Sequence, residues 1–193
     1  MNKAVFLDRD GTINKEKQYL YKIEDFELLP GVVGALNLLI ENNYLLIIIT
    51  NQSGIARGYY AEKEYKELNE WMVEMFERKG IHVTDSYYCP HLVDADVPEY
   101  RLDCDCRKPK LGLYNRAVRE HDIDLDASFA IGDKIRDCII CEVSSCHGFL
   151  IGQSEEKEIW DKVKRGEIER VRYCVDLAEA VRMIVTHPMR RTE

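Results

Sequence analysis

Short apolar runs alternate with helix-like segments along this chain. The runs 3–7 and 44–49 are almost continuously apolar, which is typical of strands buried on both faces. Further strands are predicted over the segments 83–88, 128–131, 148–151 and 173–175. Helical spacing of apolar residues predicts helices over 32–40, over 65–76, after Gly112, and from an Asp176 cap to residue 184.

Strands that alternate with helices predict a parallel sheet, because a parallel connection has to cross back over the sheet. We therefore predict an α/β fold of the Rossmann-like kind, with three layers and a central, mainly parallel sheet. The charged run 155–164 predicts a solvated helix with Trp160 turned inward. Residues 1–188 are predicted to form one domain, and residues 189–193 a frayed tail.

Three of the predicted strands end in polar clusters. Asp8-x-Asp10 follows the first strand, Thr50-Asn51 the second, and Gly132-Asp133 the fourth. In sheets of this kind, ligands bind beyond the carboxyl ends of the strands. We therefore expect the three clusters to face one crevice and to form a single site.

The clusters contain the groups that phosphoryl transfer needs. Near an oxygen-loving cation such as Mg²⁺, Asp8 and Asp10 can divide the roles of nucleophile and proton donor. Asp133 supplies a third acid that can anchor the ion. The transferring phosphoryl oxygens need neutralising and positioning groups, for which the candidates are Thr50, Asn51 and Lys108.

The overall charge limits the class of partner. The chain carries 27 basic and 35 acidic residues, a formal net charge of −8, which argues against nucleic acid or an anionic membrane surface as the main partner. An anionic small molecule must then be met by a local cationic pocket. The N-terminus lacks the pattern of a secretory signal, and the run 44–49 is too short to span a bilayer, so we expect a cytosolic protein.

A second set of residues has the chemistry of a zinc site. Cys89-x-His91 and Cys104-x-Cys106 supply three sulfurs and one imidazole, a full tetrahedral set. A closed set leaves no position for water, so this zinc would be structural; the alternative is four side chains that never meet. Lys108 follows Cys106 by two residues. We predict that zinc stiffens the loop 89–106 and thereby positions Lys108.

Four motifs resemble those of the haloacid-dehalogenase-superfamily phosphatases in order and placement, over nearly the whole chain. They are Asp8-Arg9-Asp10-Gly11-Thr12, Thr50-Asn51-Gln52-Ser53-Gly54, Lys108, and Gly132-Asp133-Lys134-x-x-Asp137. The resemblance implies a hydrolase that forms an aspartyl-phosphate. Asp8 would attack phosphorus, while Asp10 would protonate the leaving alkoxide and then help to activate water.

The resemblance also implies ligands for each metal and phosphate group. Mg²⁺ would be held by the carboxylates of Asp8 and Asp133 and by the main-chain carbonyl of Asp10. Thr50 and Lys108 would hold the phosphoryl oxygens. Asp137, one helical turn beyond Asp133, could orient Lys134 or a metal-bound water.

The Cys-x-His and Cys-x-Cys insertion resembles the zinc-bearing branch of this superfamily, which holds D,D-heptose 1,7-bisphosphate phosphatases and histidinol-phosphate phosphatases. The segments 50–58, 87–91 and 104–109 look more like the heptose enzymes. The resemblance implies a compact monomer without a large cap domain that removes a phosphate, expected to be the 7-phosphate, from a heptose bisphosphate. The candidate substrate contacts are Asn51, Gln52, Ser53, Arg57, Arg107 and Lys134.

Alternative functions remain open at this stage. Within the same chemistry, the substrate could be histidinol phosphate or another phosphorylated sugar. From a different class, the chain could be a phosphate-binding regulatory module without turnover, although such a module has no need of both Asp8 and Asp10. A zinc-knuckle interaction module is disfavoured by the net acidity and by the long α/β framework.

Overall fold

A computed structural model describes residues 1–152 and 157–186. The described chain contains six β-strands: β1 (Ala4–Leu7), β2 (Leu45–Asn51), β3 (Asp85–Cys89), β4 (Phe129–Gly132), β5 (His147–Ile151) and β6 (Val171–Cys174). The α-helices are α1 (Val32–Glu41), α2 (Ser53–Ala56), α3 (Glu62–Glu77), α4 (Gly112–His121), α5 (Ile140–Val143), α6 (Lys157–Lys164) and α7 (Leu177–Thr186). Short 3₁₀ helices cover Ile23–Asp25, Pro98–Tyr100, Leu125–Ala127 and Ile135–Cys138.

The six strands form one sheet in the order β3-β2-β1-β4-β5-β6, and every neighbouring pair is parallel. The predicted parallel α/β fold is thus confirmed. Strand order reverses next to β1, which lies between β2 and β4. Such a reversal opens a crevice at the carboxyl ends of the strands, because the flanking connections leave on opposite faces of the sheet.

Two apolar cores cover the two faces of the sheet. Alternate strand residues point to opposite faces, so that Val5 and Leu7 enter one core while Phe6 enters the other. Helices α1, α3 and α7 pack in the first core, and α4, α5 and α6 in the second. The arrangement gives the three layers predicted from the sequence.

Several local predictions are confirmed within a few residues. Asp176 caps α7, since its Oδ1 accepts a hydrogen bond of 2.7 Å from the Glu179 amide. Trp160 of α6 is buried, as predicted for the charged run. The helix α2, directly after β2, was not predicted, because four residues carry no periodicity. The first residues of the run 155–164 and the tail 189–193 lie outside the described residues.

Among residues 1–152 and 157–186, no helix combines the length and the apolarity that a membrane span requires.

Candidate active site

The three polar clusters predicted at strand ends meet in one cleft of about 450 Å³. Asp8 and Asp10 enter it from β1, and Thr50 enters from β2. Lys108 reaches the same cleft from the segment after the cysteine loop, and Lys134 from the turn after β4. The convergence inferred from the strand ends is therefore present.

Lys108 lies at the bottom of the cleft and is almost completely buried. Its Nζ donates to Asp8 Oδ1 at 2.8 Å and to the carbonyl of Ile49 at 2.6 Å, and lies 2.7 Å from Asp137 Oδ1. Burial opposes the charge of the ammonium group, but Asp137 and Asp8 outweigh it and raise the pKa of Lys108. The lysine is thus held as a cation directly beside Asp8.

Asp137 contacts both Lys108 and the main chain of Lys134, and its predicted effect on a metal-bound water stays a prediction. Its Oδ1 pairs with Lys108, and its Oδ2 accepts a hydrogen bond of 3.0 Å from the main-chain amide of Lys134. The side chain of Lys134 turns instead toward Asp133, with 3.3 Å between Nζ and Oδ2. Asp137 therefore orients the Lys108 ammonium group. Three residues separate Asp137 from Asp133. This spacing did not indicate Lys108 as the partner of Asp137, because Lys108 lies far away in the sequence.

Three carboxylates gather where a cation would bind. One oxygen from each of Asp8, Asp133 and Asp137 lies within 4.8 Å of the others. Burial raises the pKa of Asp8 to about 7 and that of Asp133 to about 6, although Lys108 and Lys134 oppose the two shifts. Asp133 Oδ1 is buried and has no hydrogen-bond partner within the described residues. Carboxylate oxygens are hard donors, and a buried one that lacks a hydrogen-bond partner fits a Mg²⁺ ligand.

Gly11 makes room for Asp133 beside the strand β1. A Cβ atom at this position would lie only 2.5 Å from Asp133 Oδ2, and the backbone of Gly11 has a φ angle of +84°. Only glycine meets both conditions without strain. The glycine of the first motif therefore permits the acid from β4 to approach the acid from β1.

Asp10 lines the same cleft, where its carboxylate is held by a hydrogen-bond network of its own. Arg9 Nη2 donates to Asp10 Oδ2 at 2.9 Å, Asn14 Nδ2 donates to Oδ1 at 2.9 Å, and Gln52 Nε2 donates to Oδ2 at 3.0 Å. Burial disfavours the ionised carboxylate, yet these partners outweigh it and lower the pKa of Asp10. The network holds Asp10 as a carboxylate that lines the cleft, and the metal contact of its main-chain carbonyl stays a prediction.

Gln52 and Arg9 are structural parts of this network. Gln52 is buried, donates to Thr50 Oγ1 at 2.9 Å and accepts a hydrogen bond of 2.6 Å from the Tyr60 hydroxyl. Arg9 is fully buried, and its guanidinium group also donates to the Leu20 carbonyl at 3.2 Å. The sequence indicated no role for Arg9, although the first motif contains it, or for Tyr60, because spacing along the chain does not show which hydrogen bonds a buried polar side chain forms.

The predicted substrate residues divide into two groups. Asn51 forms two hydrogen bonds with the main chain of Lys108: its side-chain amide group donates to the Lys108 carbonyl and accepts from the Lys108 amide, both at 3.0 Å. Together with Gln52, Ser53, Arg107 and Lys134, it lines the cleft. Arg57 does not belong to the lining; it lies close enough to Arg107 for the two charges to repel. Contact of these residues with a substrate stays a prediction.

The four predicted zinc ligands meet in space. Their donor atoms lie within 4.8 Å of one another, with Cys106 Sγ 3.0 Å from the sulfurs of both Cys89 and Cys104. His91 Nδ1 is 3.3 Å from Cys106 Sγ. Three sulfurs and one imidazole nitrogen at such separations form a donor set that fits one tetrahedral zinc ion.

The cysteine loop is linked to the cleft by Arg107, whose Nη1 donates to the carbonyl of His91 at 3.3 Å. Tyr88 and Tyr100 tie the loop to the rest of the domain, since both hydroxyls donate to the carboxylate of Glu62 on α3. The zinc ligands are thus anchored to the framework on one side and to the cleft on the other.

Comparison with known proteins agrees with this geometry. The family model described as "Polynucleotide kinase 3 phosphatase" matches residues 3–145. A D-glycero-beta-D-manno-heptose-1,7-bisphosphate 7-phosphatase from Haemophilus ducreyi is 45% identical over 74% of this chain and 78% of its own length. The D-glycero-alpha-D-manno-heptose-1,7-bisphosphate 7-phosphatase of Campylobacter jejuni is 43% identical over 82% of this chain and 87% of its own.

Solved structures agree as well. The crystal structure of a D,D-heptose 1,7-bisphosphate phosphatase from B. bronchiseptica, complexed with magnesium and phosphate, superposes with a TM-score of 0.80. It is 28% identical, and the match covers 97% of this chain and 99% of that one. Together with the buried acids and lysine in the cleft, these similarities show that the chain is a hydrolase and belongs to the haloacid-dehalogenase-like phosphatases, in the family that contains the heptose bisphosphate phosphatases.

Proposed function

We propose that this protein is a Mg²⁺-dependent phosphatase that releases the 7-phosphate of D-glycero-D-manno-heptose 1,7-bisphosphate through an aspartyl-phosphate on Asp8. The proposal rests above all on one observation, the contact of 2.8 Å between Asp8 Oδ1 and Lys108 Nζ beside two further buried acids. A buried carboxylate between a lysine and a cation site has the surroundings of a nucleophile that must approach an anion. The names of the similar proteins supply the substrate.

In the first step Asp8 attacks phosphorus, and the bond from phosphorus to the sugar oxygen breaks. Lys108 keeps its proton throughout, since Asp137 and Asp8 raise its pKa, and its charge compensates the negative charge of the phosphoryl oxygens. Thr50 lines the cleft on the β2 side and offers its hydroxyl group to the same oxygens. Water then attacks the aspartyl-phosphate and restores Asp8.

Asp10 has to donate a proton to the sugar oxygen in the first step and to accept one from water in the second. Without substrate, Arg9, Asn14 and Gln52 outweigh burial and lower the pKa of Asp10, so that the carboxylate is ionised. A phosphoryl group brings negative charge close to Asp10, and like charges favour the protonated acid. Substrate binding therefore shifts Asp10 toward the form that the first step requires.

The carboxylates of Asp8 and Asp133, with the main-chain carbonyl of Asp10, would hold Mg²⁺. Bound there, the ion supplies charge neutralisation for the phosphoryl oxygens. Cys89, His91, Cys104 and Cys106 would hold a structural zinc that fixes the loop leading to Lys108. In support of this, the donor set at each position matches the preferences of its metal, oxygen for magnesium and sulfur with nitrogen for zinc.

The charges that line the cleft favour a substrate with a second anionic group. Arg107 and Lys134 line it, while Glu16 lies 3.9 Å from Lys134 and is thereby compensated. Histidinol phosphate would place an ammonium group among these cations. The charge balance therefore favours a bisphosphate over histidinol phosphate.

A non-catalytic phosphate-binding module is a poorer explanation of the same cleft. Burial raises the pKa of Asp8 to about 7 and of Asp133 to about 6, so both acids are costly to ionise in the folded protein. Carboxylates facing a bound anion weaken binding unless they hold a cation or react. A module that only bound phosphate would gain nothing from them.

The enzyme is further proposed to act as a cytosolic monomer. Cysteines 89, 104, 106, 138, 141, 146 and 174 form no disulfide with one another, as suits a reducing compartment. The described chain by itself supplies all the residues invoked above, so catalysis requires no second copy. Light scattering on the purified protein should therefore give the mass of one chain, and a dimer that is needed for activity contradicts this part of the proposal.

Release of inorganic phosphate from a substrate panel tests the function. The panel consists of both anomers of the heptose bisphosphate, histidinol phosphate and fructose 1,6-bisphosphate, each with and without Mg²⁺. We expect one heptose anomer to have the highest kcat/KM and turnover to require Mg²⁺. A higher kcat/KM for histidinol phosphate would refute the proposed substrate, and turnover without Mg²⁺ would refute the metal role.

A further inference from the structure

Arg136 lines the cleft although it belongs to none of the recognised motif positions. It lies on the 3₁₀ helix Ile135–Cys138, which begins directly after Lys134. Its side chain is half-buried, and the Nε atom is buried without a hydrogen-bond partner within residues 1–152 and 157–186. A buried guanidinium nitrogen without a partner costs free energy, so the position calls for an additional ligand.

Arg136 stands among other cations that also lack acidic partners. Arg107 lies in the same cleft, and neither arginine forms an ion pair with a carboxylate in the described part of the chain. Two guanidinium groups that line one cleft without a carboxylate partner, in a chain of net charge −8, indicate a bound anion.

That anion is different from the phosphate that reacts. The reacting phosphate has its own cation in Lys108, which lies against Asp8, the proposed nucleophile, at 2.8 Å. Arg107 and Arg136 reach the cleft from two other segments, the end of the cysteine loop and the 3₁₀ helix Ile135–Cys138. Two guanidinium forks can bind one phosphate through several charge-assisted hydrogen bonds.

We propose that Arg136 is a specificity-determining residue that binds, beside Arg107, the phosphate of the sugar bisphosphate that is not hydrolysed. This inference rests on the proposed function for its substrate. The inference adds a substrate contact to the proposed function. That contact comes from Arg136, at a position between Lys134 and Asp137 that the motif leaves unspecified. Substrates with a single phosphate would not use Arg136.

A purely structural role for Arg136 makes a different prediction. The charge of Arg136 helps to keep the pKa of Asp133 from rising further, an effect that acts through space because no hydrogen bond joins the two side chains. Loss of that effect alone would alter Mg²⁺ binding and would slow every substrate equally. The ratio of kcat/KM for a bisphosphate to that for its monophosphate therefore separates the two roles.

The test compares wild type, Arg136→Ala and Arg136→Lys on heptose 1,7-bisphosphate and heptose 7-phosphate, and on fructose 1,6-bisphosphate and fructose 6-phosphate. We expect Arg136→Ala to lower the bisphosphate-to-monophosphate ratio about 10- to 100-fold, mainly through KM. Arg136→Lys keeps the charge without the fork, so it should recover part of the ratio. Arg119→Ala, which removes an exposed arginine of α4, should leave the ratio unchanged.

The outcomes separate this inference from the proposed function. An equal loss on bisphosphate and monophosphate for Arg136→Ala overturns the role of Arg136 and leaves the proposed function intact. A wild-type enzyme that prefers the fructose bisphosphate over the heptose one overturns the substrate, while a ratio that still depends on Arg136 supports the second-phosphate contact. A wild type with no preference for a bisphosphate in either pair overturns the inference.

Discussion

The side chain of Asn51 and the main chain of Lys108 are joined by two hydrogen bonds. Asn51 Nδ2 donates to the Lys108 carbonyl and the Lys108 amide donates to Asn51 Oδ1, both at 3.0 Å. The pair connects the end of β2 to the segment that follows the cysteine loop. It fixes the main chain from which the Lys108 ammonium group reaches Asp8.

Removal of this pair should impair catalysis more than stability. In Asn51→Ala, Lys108 loses the support of its main chain, and we expect kcat to fall about 10- to 100-fold because a small displacement of a charged group is enough. Zinc content and the melting temperature should change little. Asn115→Ala, an exposed asparagine of α4, is the matched control. Near wild-type kcat in Asn51→Ala would show that this pair is not needed to position Lys108.

Replacement of the nucleophile should abolish turnover without unfolding the protein. Asp8→Asn keeps the size of the side chain but removes the attacking carboxylate, so we expect a loss of about 1,000-fold or more in kcat. Lys108 keeps Asp137 as an ionic partner in this variant, and the fold is therefore expected to persist. Circular dichroism and single-turnover phosphate release check the two statements. A variant with substantial turnover would remove the nucleophile assignment.

Loss of zinc should lower both activity and stability although zinc takes no part in the reaction. We expect Cys104→Ser to bind zinc weakly, to unfold at a lower temperature and to have a reduced kcat, since the loop before Lys108 is no longer held. Metal analysis, calorimetry and phosphate release measure the three effects. Cys174→Ala removes a buried thiol far from the cluster and should keep both zinc and kcat. Full activity in zinc-free protein contradicts the positioning role.

Reconstitution with Co²⁺ distinguishes a structural metal from a catalytic one. A closed tetrahedral site offers no open position to substrate, so exchange of the ion should restore kcat to about the zinc value. A kcat that changes with the identity of this metal indicates contact with the reaction.

The stability of the magnesium-free protein should decrease as pH rises. Folding raises the pKa of Asp8 from 3.8 to about 7 and that of Asp133 from 3.8 to about 6, with burial as the main cause. Between these limits the folded state binds more protons than the unfolded chain, and stability falls with rising pH wherever that holds. Their destabilising effect is absent below pH 3.8 and complete above about pH 7.

Urea unfolding of zinc-loaded protein at about pH 5 and about pH 7.5, with and without Mg²⁺, measures this effect. We expect the free energy of unfolding to be lower at the higher pH without Mg²⁺, and the difference to shrink when Mg²⁺ compensates the two carboxylates. Asp8→Asn should show a smaller pH dependence than wild type. If the wild-type protein without Mg²⁺ became more stable from about pH 5 to about pH 7.5, that result would contradict the raised pKa values of Asp8 and Asp133.

The sequence by itself determined the framework and the reacting groups. A strand with a continuous apolar run, such as 44–49, buries both of its faces when helices cover the two sides of the sheet. Parallel strands also bring their carboxyl ends to one edge of that sheet. For that reason the sequence alone assigns Asp8, Thr50 and Asp133 to one site. The zinc ligands were predictable because the metal demands particular donor atoms in close pairs.

Only the tertiary structure decided which partner each polar group has. Gln52 was predicted as a substrate contact, and the structure adds that it supports Asp10; Asp137 was predicted to act on Lys134 or a water, and the structure adds an ion pair with Lys108. Arg9 is buried against Asp10, and Arg136 lines the cleft from an unspecified position of the fourth motif. Hydrogen bonds and ion pairs depend on separations of a few ångströms between residues far apart in the chain, and apolar periodicity does not encode those separations.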